Sequence, residues 1–312
     1  MKDKKKKVII LQHGGGELAN QLWNFVSIYV YCLEKDFDCQ NYSFFEHGRH
    51  FNIPTGNKLI DFIFFKKFKN HHARRNNIKN RFWRFAYKVY VKTISIFIKK
   101  RSVSSINQTN KKTYLPPTGE NSNLDKLEKD SKPIYFLGWL FRNPKGLDKY
   151  REEIIDYFKP IQKYTKPADK KIEEFKSKYK NVIGVHIRQN DYKDFKGGVY
   201  FIKQQKVVGI LEEYLLNFKK NRSETIFIIK TDGNIEKSLF ENLNIDIYNS
   251  SPIEDLYTLS LCDVIIGSNS SFGNFASFYG NIPHLIFQND GIDWIYYKNK
   301  DTYFENKYFT MT

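Results

Sequence analysis

The stretch Val182-Ile-Gly-Val-His-Ile-Arg188 decides the fold, because an almost continuous apolar run ends directly in an arginine. Continuous apolar runs are typical of parallel strands buried on both faces, whereas half-exposed strands alternate. Five further runs of this kind are each followed by a turn signal: Val8–Gln12, Ile134–Gly138, Ile226–Lys230, Val264–Gly267 and His284–Phe287. We therefore predict six parallel strands, one of which is Val182–Ile187.

Helical patterns lie between these strands. They are Leu22–Leu33, Lys149–Phe158, Asp169–Tyr179, Phe201–Phe218, Ile235–Leu243 and Phe272–Phe278. Alternation of strands and helices predicts an α/β fold with right-handed crossovers. A length of 312 residues suits two domains. Two prolines flank a polar stretch at Pro160–Pro167, and there we place a boundary between an N-terminal domain, residues 1–160, and a C-terminal domain, residues 161–312.

The net charge of +17 is distributed unevenly along the chain. Residues 1–7 carry +4 and residues 66–101 carry +13, so the remaining residues sum to zero. The basic segment 66–101 interleaves cations with rings, and it lies in an irregular region, about 44–130, that we interpret as a helical insertion. As a helix it is typical of a segment that contacts an anionic membrane. The alternative is a solvated basic face that packs its own rings into the domain.

Other classes of protein fit the sequence less well. Three cysteines without metal-ligand spacing favour a reducing compartment, and no apolar run reaches the ~18 residues of a spanning helix. We expect a cytoplasmic protein, with peripheral contact at the cytoplasmic face of the inner membrane as an alternative. Basic, aromatic-rich stretches also suit a nucleic-acid-binding α/β protein, the alternative from another class. No known RNA- or DNA-binding motif supports it, so we expect no nucleic-acid partner.

Three polar motifs follow predicted strands. The first, Gly14-Gly-Gly-Glu-Leu-Ala-Asn-Gln21, is a glycine turn before a helix, which lets backbone approach a ligand closely. The second, His186-Ile-Arg-Gln-Asn-Asp-Tyr192, ends a strand with a guanidinium that fits a pyrophosphate. The third, Ser268-Asn-Ser-Ser-Phe-Gly273, offers hydroxyls and amides at a helix N-terminus. Taken singly, each motif also fits a structural role, as a tight turn, a hydrogen-bonded pair or a helix cap.

In this order, with Thr231-Asp232 between the last two, the motifs resemble those of GDP-fucose-dependent fucosyltransferases. The resemblance is strongest to the α-1,2-fucosyltransferases of glycosyltransferase family 11, with their Gly-Gly-Leu-Gly-Asn-Gln, His-x-Arg-Arg-x-Asp-Tyr and Ser-Ser-Phe elements. The stretch Tyr135–Phe141 resembles the family's Gly-Tyr-Phe-Gln segment, and residues 44–130 are not covered. The resemblance implies a GT-B-type glycosyltransferase, with two Rossmann-like domains and a cleft between them.

The resemblance also implies the reaction. It is an inverting, metal-independent transfer of L-fucose from GDP-fucose to a glycan hydroxyl, with no cofactor. The implied product is α-1,2-fucosylated galactose in a bacterial surface polysaccharide or O-antigen, and a lipid-linked acceptor is one form that substrate takes. Another fucosyl linkage, α-1,6 or α-1,3, and another GDP-sugar donor are the alternatives.

Individual site residues follow from the same resemblance. The implied donor-binding residues are Gly16, Asn20, His186, Arg188, Asp232, Ser270, Ser271 and Phe272. Arg188 is expected at the β-phosphate and Asp232 near the nucleoside. The implied catalytic residues are Arg188 and a general base, for which Glu17 and Asp191 are the alternatives.

Three positions depart from the family pattern. Gln189 stands for an arginine, Ala19 for a glycine, and Glu17 for a glycine or arginine. Some protein O-fucosyltransferases have a glutamate at the last of these positions, where it acts as the base. These departures affect the predicted linkage of the product more than the predicted identity of the donor.

Overall fold

A computed structural model of the chain describes residues 5–12, 16–65, 78–104, 113–115, 122–248, 250–287 and 291–299. The chain forms two compact units, which divide between Ile161 and Gln162. Each unit is built on a parallel sheet with helices, so the predicted α/β fold class is confirmed.

The N-terminal unit has a four-stranded parallel sheet in the order β2-β1-β5-β3. These strands are β1 (Lys7–Gln12), β2 (Asp38–Asn41), β3 (Ser102–Ser104) and β5 (Ile134–Leu137), and a second ladder pairs β4 (Thr113–Tyr114) with β6 (Phe141–Arg142). The helices are α1 (Leu18–Glu34), α2 (Gly48–Phe51), α3 (Lys58–Ile60), α4 (Ile78–Ile98), α5 (Ser122–Glu128), α6 (Pro144–Lys149) and α7 (Arg151–Tyr157). The order reverses between β1 and β5.

Aromatic rings form much of the N-terminal core. The Phe25 ring of α1 meets the edges of Phe44 and Phe158 at centroid distances of 5.2 and 4.9 Å. Edge-to-face contacts of this kind add to the stability gained from burial. Elsewhere in the unit, Tyr87 and Val91 of α4 are buried in one cluster with apolar side chains of β1. One face of α4 is therefore part of the core.

The C-terminal unit has a five-stranded parallel sheet in the order β11-β10-β7-β8-β9. Its strands are β7 (Asn181–Ile187), β8 (Thr225–Thr231), β9 (Ile245–Ile247), β10 (Val264–Ser268) and β11 (His284–Phe287). Its helices are α8 (Gln162–Lys178), α9 (Gln204–Asn217), α10 (Pro252–Ser260), α11 (Ser271–Gly280) and α12 (Trp294–Lys298). The order reverses between β7 and β10, and ligands of such sheets bind at the carboxyl ends of the strands at that point.

All six predicted strands form, and one predicted helix is wrong. Residues 235–243 contain a short 3₁₀ helix, Lys237–Phe240, with i→i+3 hydrogen bonds such as that from the Leu239 amide to the Glu236 carbonyl. Phe240 and Leu243 are buried in the core and Leu239 packs against it, so the apolar pattern marks side chains that pack on the core without the continuous backbone bonds of an α-helix. The helix predicted from Asp169 begins earlier, at Gln162, and has Pro167 inside it.

The structure describes residues 78–101 of the basic segment. Residues 78–98 form α4, as the helical interpretation predicts, whereas residues 66–77 lie outside the described part of the chain. Within the described ranges, no helix has the length and apolar character required to cross a lipid bilayer.

Candidate functional site

Two of the sequence motifs flank the reversal point of the C-terminal sheet. His186 is the penultimate residue of β7, and Ser268 ends the neighbouring strand β10. The two strands lie in register there, with Gly267 opposite His186. The structure therefore brings the second and third motifs together at the edge where this class of sheet binds ligands.

Gly267 permits this close approach of the strands. A Cβ atom at position 267 would lie 2.7 Å from the carbonyl oxygen of His186 and 3.0 Å from its Cβ atom. On the next residue, the Ser268 hydroxyl accepts a hydrogen bond of 3.0 Å from the backbone amide of Arg188. The start of the loop after β7 is thus fixed by β10.

Arg188 packs on a ring that is itself held in place. Its guanidinium carbon lies 4.9 Å from the ring centroid of Tyr192, which is buried. The Tyr192 hydroxyl donates a 2.7 Å hydrogen bond to the carbonyl oxygen of Asn269, in the loop after β10. The Tyr192 ring also stacks on the ring of Phe195. These contacts restrict the positions that the guanidinium can occupy, and a planar fork so held suits bidentate binding of phosphate oxygens.

Asp232 holds the loop that carries Arg188. It follows β8, and its Oδ1 atom accepts hydrogen bonds from the amides of Gln189 at 2.7 Å and Asn190 at 3.3 Å. Gly233 follows Asp232, and a Cβ atom there would lie 2.3 Å from Oε1 of the buried Gln189, so a side chain at this position would collide with it. The structure thus places Asp232 against the backbone of the Arg188 loop, while its expected place near the nucleoside stays a prediction.

His186 lies between two residues of the third motif. The Ser270 hydroxyl caps α11 by accepting from the Gly273 amide at 3.2 Å, and it lies 3.2 Å from Nδ1 of His186. The Phe272 ring stacks on the imidazole with centroids 5.0 Å apart. Ser271 is buried beside them in the first turn of the helix. Ser270, Ser271 and Phe272 therefore converge with His186 at the N-terminus of α11, where backbone amides favour an anion.

Two buried histidines near the first turn of α11 are neutral at neutral pH. Burial lowers the pKa of His186 to about 3, with the nearby His284 and Arg188 as smaller causes. Burial likewise lowers the pKa of His284 to about 3. His186 therefore acts here through hydrogen bonding and packing, and the positive charge of the site comes from Arg188.

Sequence reasoning missed His284. Its Nδ1 atom lies 3.0 Å from Oδ1 of Asn274, and a Cβ atom at Gly273 would meet its ring at 2.7 Å. The only signal for it in the sequence is a histidine that opens an otherwise apolar strand. That signal becomes informative once β11 is known to pair with β10.

The N-terminal unit presents the first motif at the reversal point of its own sheet. Gly16 has φ of +93°, and a Cβ atom there would lie 2.6 Å from Nδ2 of Asn20. Glycine is required twice, because L residues rarely adopt this φ and because Asn20 occupies the space. Glu17 follows in extended backbone just before α1 and is exposed. Residues 13–15, which include Gly14, lie outside the described part of the chain.

Glu17 lies near an ion pair that the sequence did not indicate. Arg84 of α4 donates to both carboxylate oxygens of Glu46, at 2.7 and 2.9 Å. Burial raises the pKa of Glu46, the Arg84 pair opposes that shift, and the charge of Glu17 adds to it. Burial lowers the pKa of Arg84, but the hydrogen bond and charge of Glu46, together with the charge of Glu17, outweigh burial and raise it. One cation of the basic segment is therefore used inside the unit.

The other candidate base, Asp191, begins a short 3₁₀ helix, Asp191–Lys193, and its side chain lies outside the described residues. In the part of the chain that the structure describes, no group of three or more histidine, cysteine, aspartate or glutamate side chains converges as metal ligands. An Asp-x-Asp sequence, Asp36-Phe-Asp38, lies at the amino end of β2, opposite the edge that carries the motifs.

Comparison with protein families gives one match that covers most of the chain. The model of glycosyl transferase family 11 matches residues 57–310. None of the curated proteins searched matches the chain.

Solved structures share the fold over almost the whole length. A mutant of Arabidopsis thaliana FUT1 in complex with GDP has a TM-score of 0.54 at 13% identity, over 92% of this chain and 72% of that chain. POFUT1 in complex with GDP gives 0.52 at 12%, over 90% and 96%. The α-1,6-fucosyltransferase NodZ, soaked with GDP-fucose, gives 0.51 at 13%, over 93% and 97%. At these identities the likeness concerns the fold, and it confirms the predicted GT-B type.

Proposed function

The chain belongs to glycosyl transferase family 11 and is a glycosyltransferase, and we propose that it transfers L-fucose from GDP-fucose to a glycan hydroxyl. Two findings support this donor. The motifs at the strand ends resemble those of GDP-fucose-dependent enzymes, and structures of the same fold were solved with GDP or after soaking with GDP-fucose. In this proposal the reaction requires neither a resident cofactor nor a metal ion.

One arrangement carries the proposal: Arg188 beside the capped N-terminus of α11 at the reversal point of the C-terminal sheet. A guanidinium, hydroxyl groups and helical amides are the groups that bind a diphosphate. We assign the β-phosphate to Arg188, and the remaining diphosphate oxygens to the hydroxyls and amides of Ser270 and Ser271. Phe272 and His186 hold this loop in place by their stacked contact.

In the proposed step, the acceptor oxygen attacks C1 of fucose from the face opposite GDP. The bond between C1 and the β-phosphate oxygen breaks, and its electron pair stays on GDP, so a β-linked donor gives an α-fucoside. Arg188 stabilises the charge that grows on the leaving group. Groups already oriented toward developing charge stabilise a transition state strongly, because they need no reorganisation.

The proton of the acceptor hydroxyl passes to a general base in this scheme, and we favour Glu17. Its carboxylate is exposed, and it follows the positive-φ Gly16 at the carboxyl edge of the N-terminal sheet. Asp191 remains the alternative. Base catalysis of this kind contributes ~10²–10⁴-fold to rate.

We further propose an α-1,2 linkage to galactose in a bacterial surface polysaccharide or O-antigen, made at the cytoplasmic face of the membrane. The resemblance to the α-1,2-fucosyltransferases supports this linkage. The departures at Gln189 and Ala19 keep α-1,6, α-1,3 and other GDP-sugar transfers as alternatives.

Donor binding tests the proposal directly. Calorimetric titration with GDP-fucose, GDP-mannose and UDP-galactose, all with EDTA present, should show selective binding of GDP-fucose. Arg188→Ala should weaken that binding about 10- to 100-fold, as expected for lost charge-assisted hydrogen bonds. Arg222→Ala is the matched control, because Arg222 lies just before β8, at the opposite edge of the same sheet. Binding that Arg188→Ala leaves unchanged, or no binding of any nucleotide sugar, would overturn the donor assignment.

A further inference from the structure

The helix α4 is held to the N-terminal unit by one face only. Tyr87, Val91 and Ile98 are buried in the core, and the Tyr87 hydroxyl donates to the carbonyl oxygen of Leu11 in β1. The Arg84–Glu46 ion pair adds a polar contact on the same side. These contacts fix which side of the helix faces solvent.

The solvent-facing side carries large apolar groups. The exposed residues are Phe82, Phe85, Val89, Ile96 and Phe97, with fractional exposures of 59, 64, 48, 73 and 81%. The first four are separated by three, four and seven residues, so they form one stripe along the helix. A contiguous apolar stripe on a water-facing surface marks an interaction site, whereas single exposed apolar residues are ordinary.

A second stripe of cations runs beside the first. Arg81, Lys88, Lys92 and Lys99 are exposed and recur at intervals of seven, four and seven residues. Residues 66–101 contain no acidic residue, so no carboxylate of the segment itself neutralises them. The arginine at 101 pairs with Asp130 and is not part of this stripe.

We propose that the exposed side of α4 docks on a membrane that contains anionic lipid. Rings and aliphatic side chains beside cations match a bilayer surface, where apolar groups enter between the headgroups and cations meet their phosphates. Bound RNA would stack on the phenylalanines, but Val89 and Ile96 offer no stacking face for a base. A second copy of this chain would bring the same cations together, since a two-fold interface repeats one surface patch.

Docking gives the proposed reaction a location. A transferase held on the cytoplasmic leaflet meets a lipid-linked acceptor in the plane where that acceptor diffuses. This consequence rests on the proposed function, whereas the docking itself does not depend on the donor or the acceptor.

Vesicle flotation of the full chain tests the proposal. The protein should float with vesicles of phosphatidylcholine and phosphatidylglycerol at a ratio of about 7:3, and not with phosphatidylcholine alone. Raising the salt concentration from about 0.1 to 0.5 M should release most of it, because exposed charges are then screened.

Two variants separate the stripes. Lys88→Glu with Lys92→Glu should weaken vesicle binding at least ~25-fold, because each cation contributes about fivefold. Phe82→Ser with Phe85→Ser should weaken binding even at low salt, since it removes the inserted rings. The matched controls are Lys166→Glu with Lys170→Glu, exposed at the same spacing on α8, and Leu216→Ser on α9. Calorimetric binding of GDP-fucose by each variant should equal that of the parent protein, so a failed donor assignment and a failed docking assignment give different results.

Three outcomes would overturn the docking proposal. One is no flotation with anionic vesicles. Another is an equal loss in the α8 control, which would show that total charge and not α4 is responsible. The third is that the protein retains single-stranded RNA on filters, and that Phe82→Ser with Phe85→Ser abolishes this retention but leaves vesicle binding unchanged.

Discussion

The two sheets both reverse their strand order, but the reversal points are built in different ways. In the C-terminal unit, His186 lies beside the Ser270 hydroxyl, and the Ser268 hydroxyl accepts from the Arg188 amide. Asp232 accepts from the next two backbone amides of that loop. In the N-terminal unit, a positive-φ glycine leads to the exposed Glu17. The first arrangement is typical of a rigid binding site, and the second presents a single carboxylate. Substitutions should therefore act collectively in one unit and locally in the other.

The largest effect is expected from Arg188→Ala, which should lower kcat/KM by ~10³-fold because it removes the charge that stabilises the leaving group. Arg188→Lys should recover only part of this loss, since a point charge replaces a planar fork that rests on Tyr192. Steady-state transfer assays with GDP-fucose would measure both. Equal activity of the alanine and lysine variants would show that the guanidinium is not held for this purpose.

Glu17→Gln should lower kcat by ~10²-fold, because it removes the proton acceptor and keeps the shape of the side chain. Donor affinity should not change, which is the local behaviour expected of the N-terminal site. Pre-steady-state transfer combined with GDP-fucose titration would show this split. Turnover that survives the substitution would transfer the role of base to Asp191.

Acid should destabilise the C-terminal unit through its histidines. The folded pKa values of His186 and His284, about 3, lie below the unfolded value of 6.5, so only the unfolded state takes up protons between these limits. The stability they contribute is complete above pH 6.5 and is lost as pH falls toward 3. From pH 7 to pH 5 the free energy of unfolding should fall by about 2 kcal/mol per histidine, or about thirtyfold in the equilibrium constant.

Hydrogen exchange would locate this effect. Amides of β8 should lose protection at pH 5 before amides of β1. Glu46 in the N-terminal unit has a raised pKa, so its protonation favours the folded state as the pH falls, which is the opposite of the effect of the histidines. His284→Asn should remove about half of the pH dependence. Equal acid sensitivity of both sheets would contradict the comparison.

The smallest effect is expected from Asp232→Asn, about a tenfold fall in kcat with a smaller change in KM for GDP-fucose. The neutral amide still accepts a hydrogen bond, but it holds the Gln189 and Asn190 amides less strongly than a carboxylate does. Glu236→Gln, in the segment that follows β8, is a matched control. A rise in KM at constant kcat would indicate instead that Asp232 contacts the nucleoside.

The central strands could be read from the sequence because burial on both faces requires a continuous apolar run. The edge strand β2, with the sequence Asp-Cys-Gln-Asn, is only partly buried and forms by pairing with β1. The edge strands β3 and β9 are three residues each and were missed for the same reason. Their formation depends on a neighbour that local sequence does not specify.

The sequence motifs indicate where a candidate site lies, but not the contacts that join its parts. Arg188 and Ser270 lie in motifs whose chemistry can be read in order along the chain. The links between them could not be read: the Tyr192–Asn269 bond joins residues 77 positions apart, and the Glu46–Arg84 pair joins residues 38 apart. Such pairings follow from strand order and helix docking, which a single sequence leaves open.

The division of α4 into inner and outer faces has an evolutionary consequence. In the docking proposal, selection for folding acts on Tyr87, Val91 and Arg84, whereas selection for location acts on the exposed stripes. Because these sets do not overlap, a descendant lineage can exchange its outer residues and acquire a new cellular address while the inner face stays unchanged. Among descendants, the frequency of substitution along α4 should therefore alternate between outer and inner positions with the period of the helix.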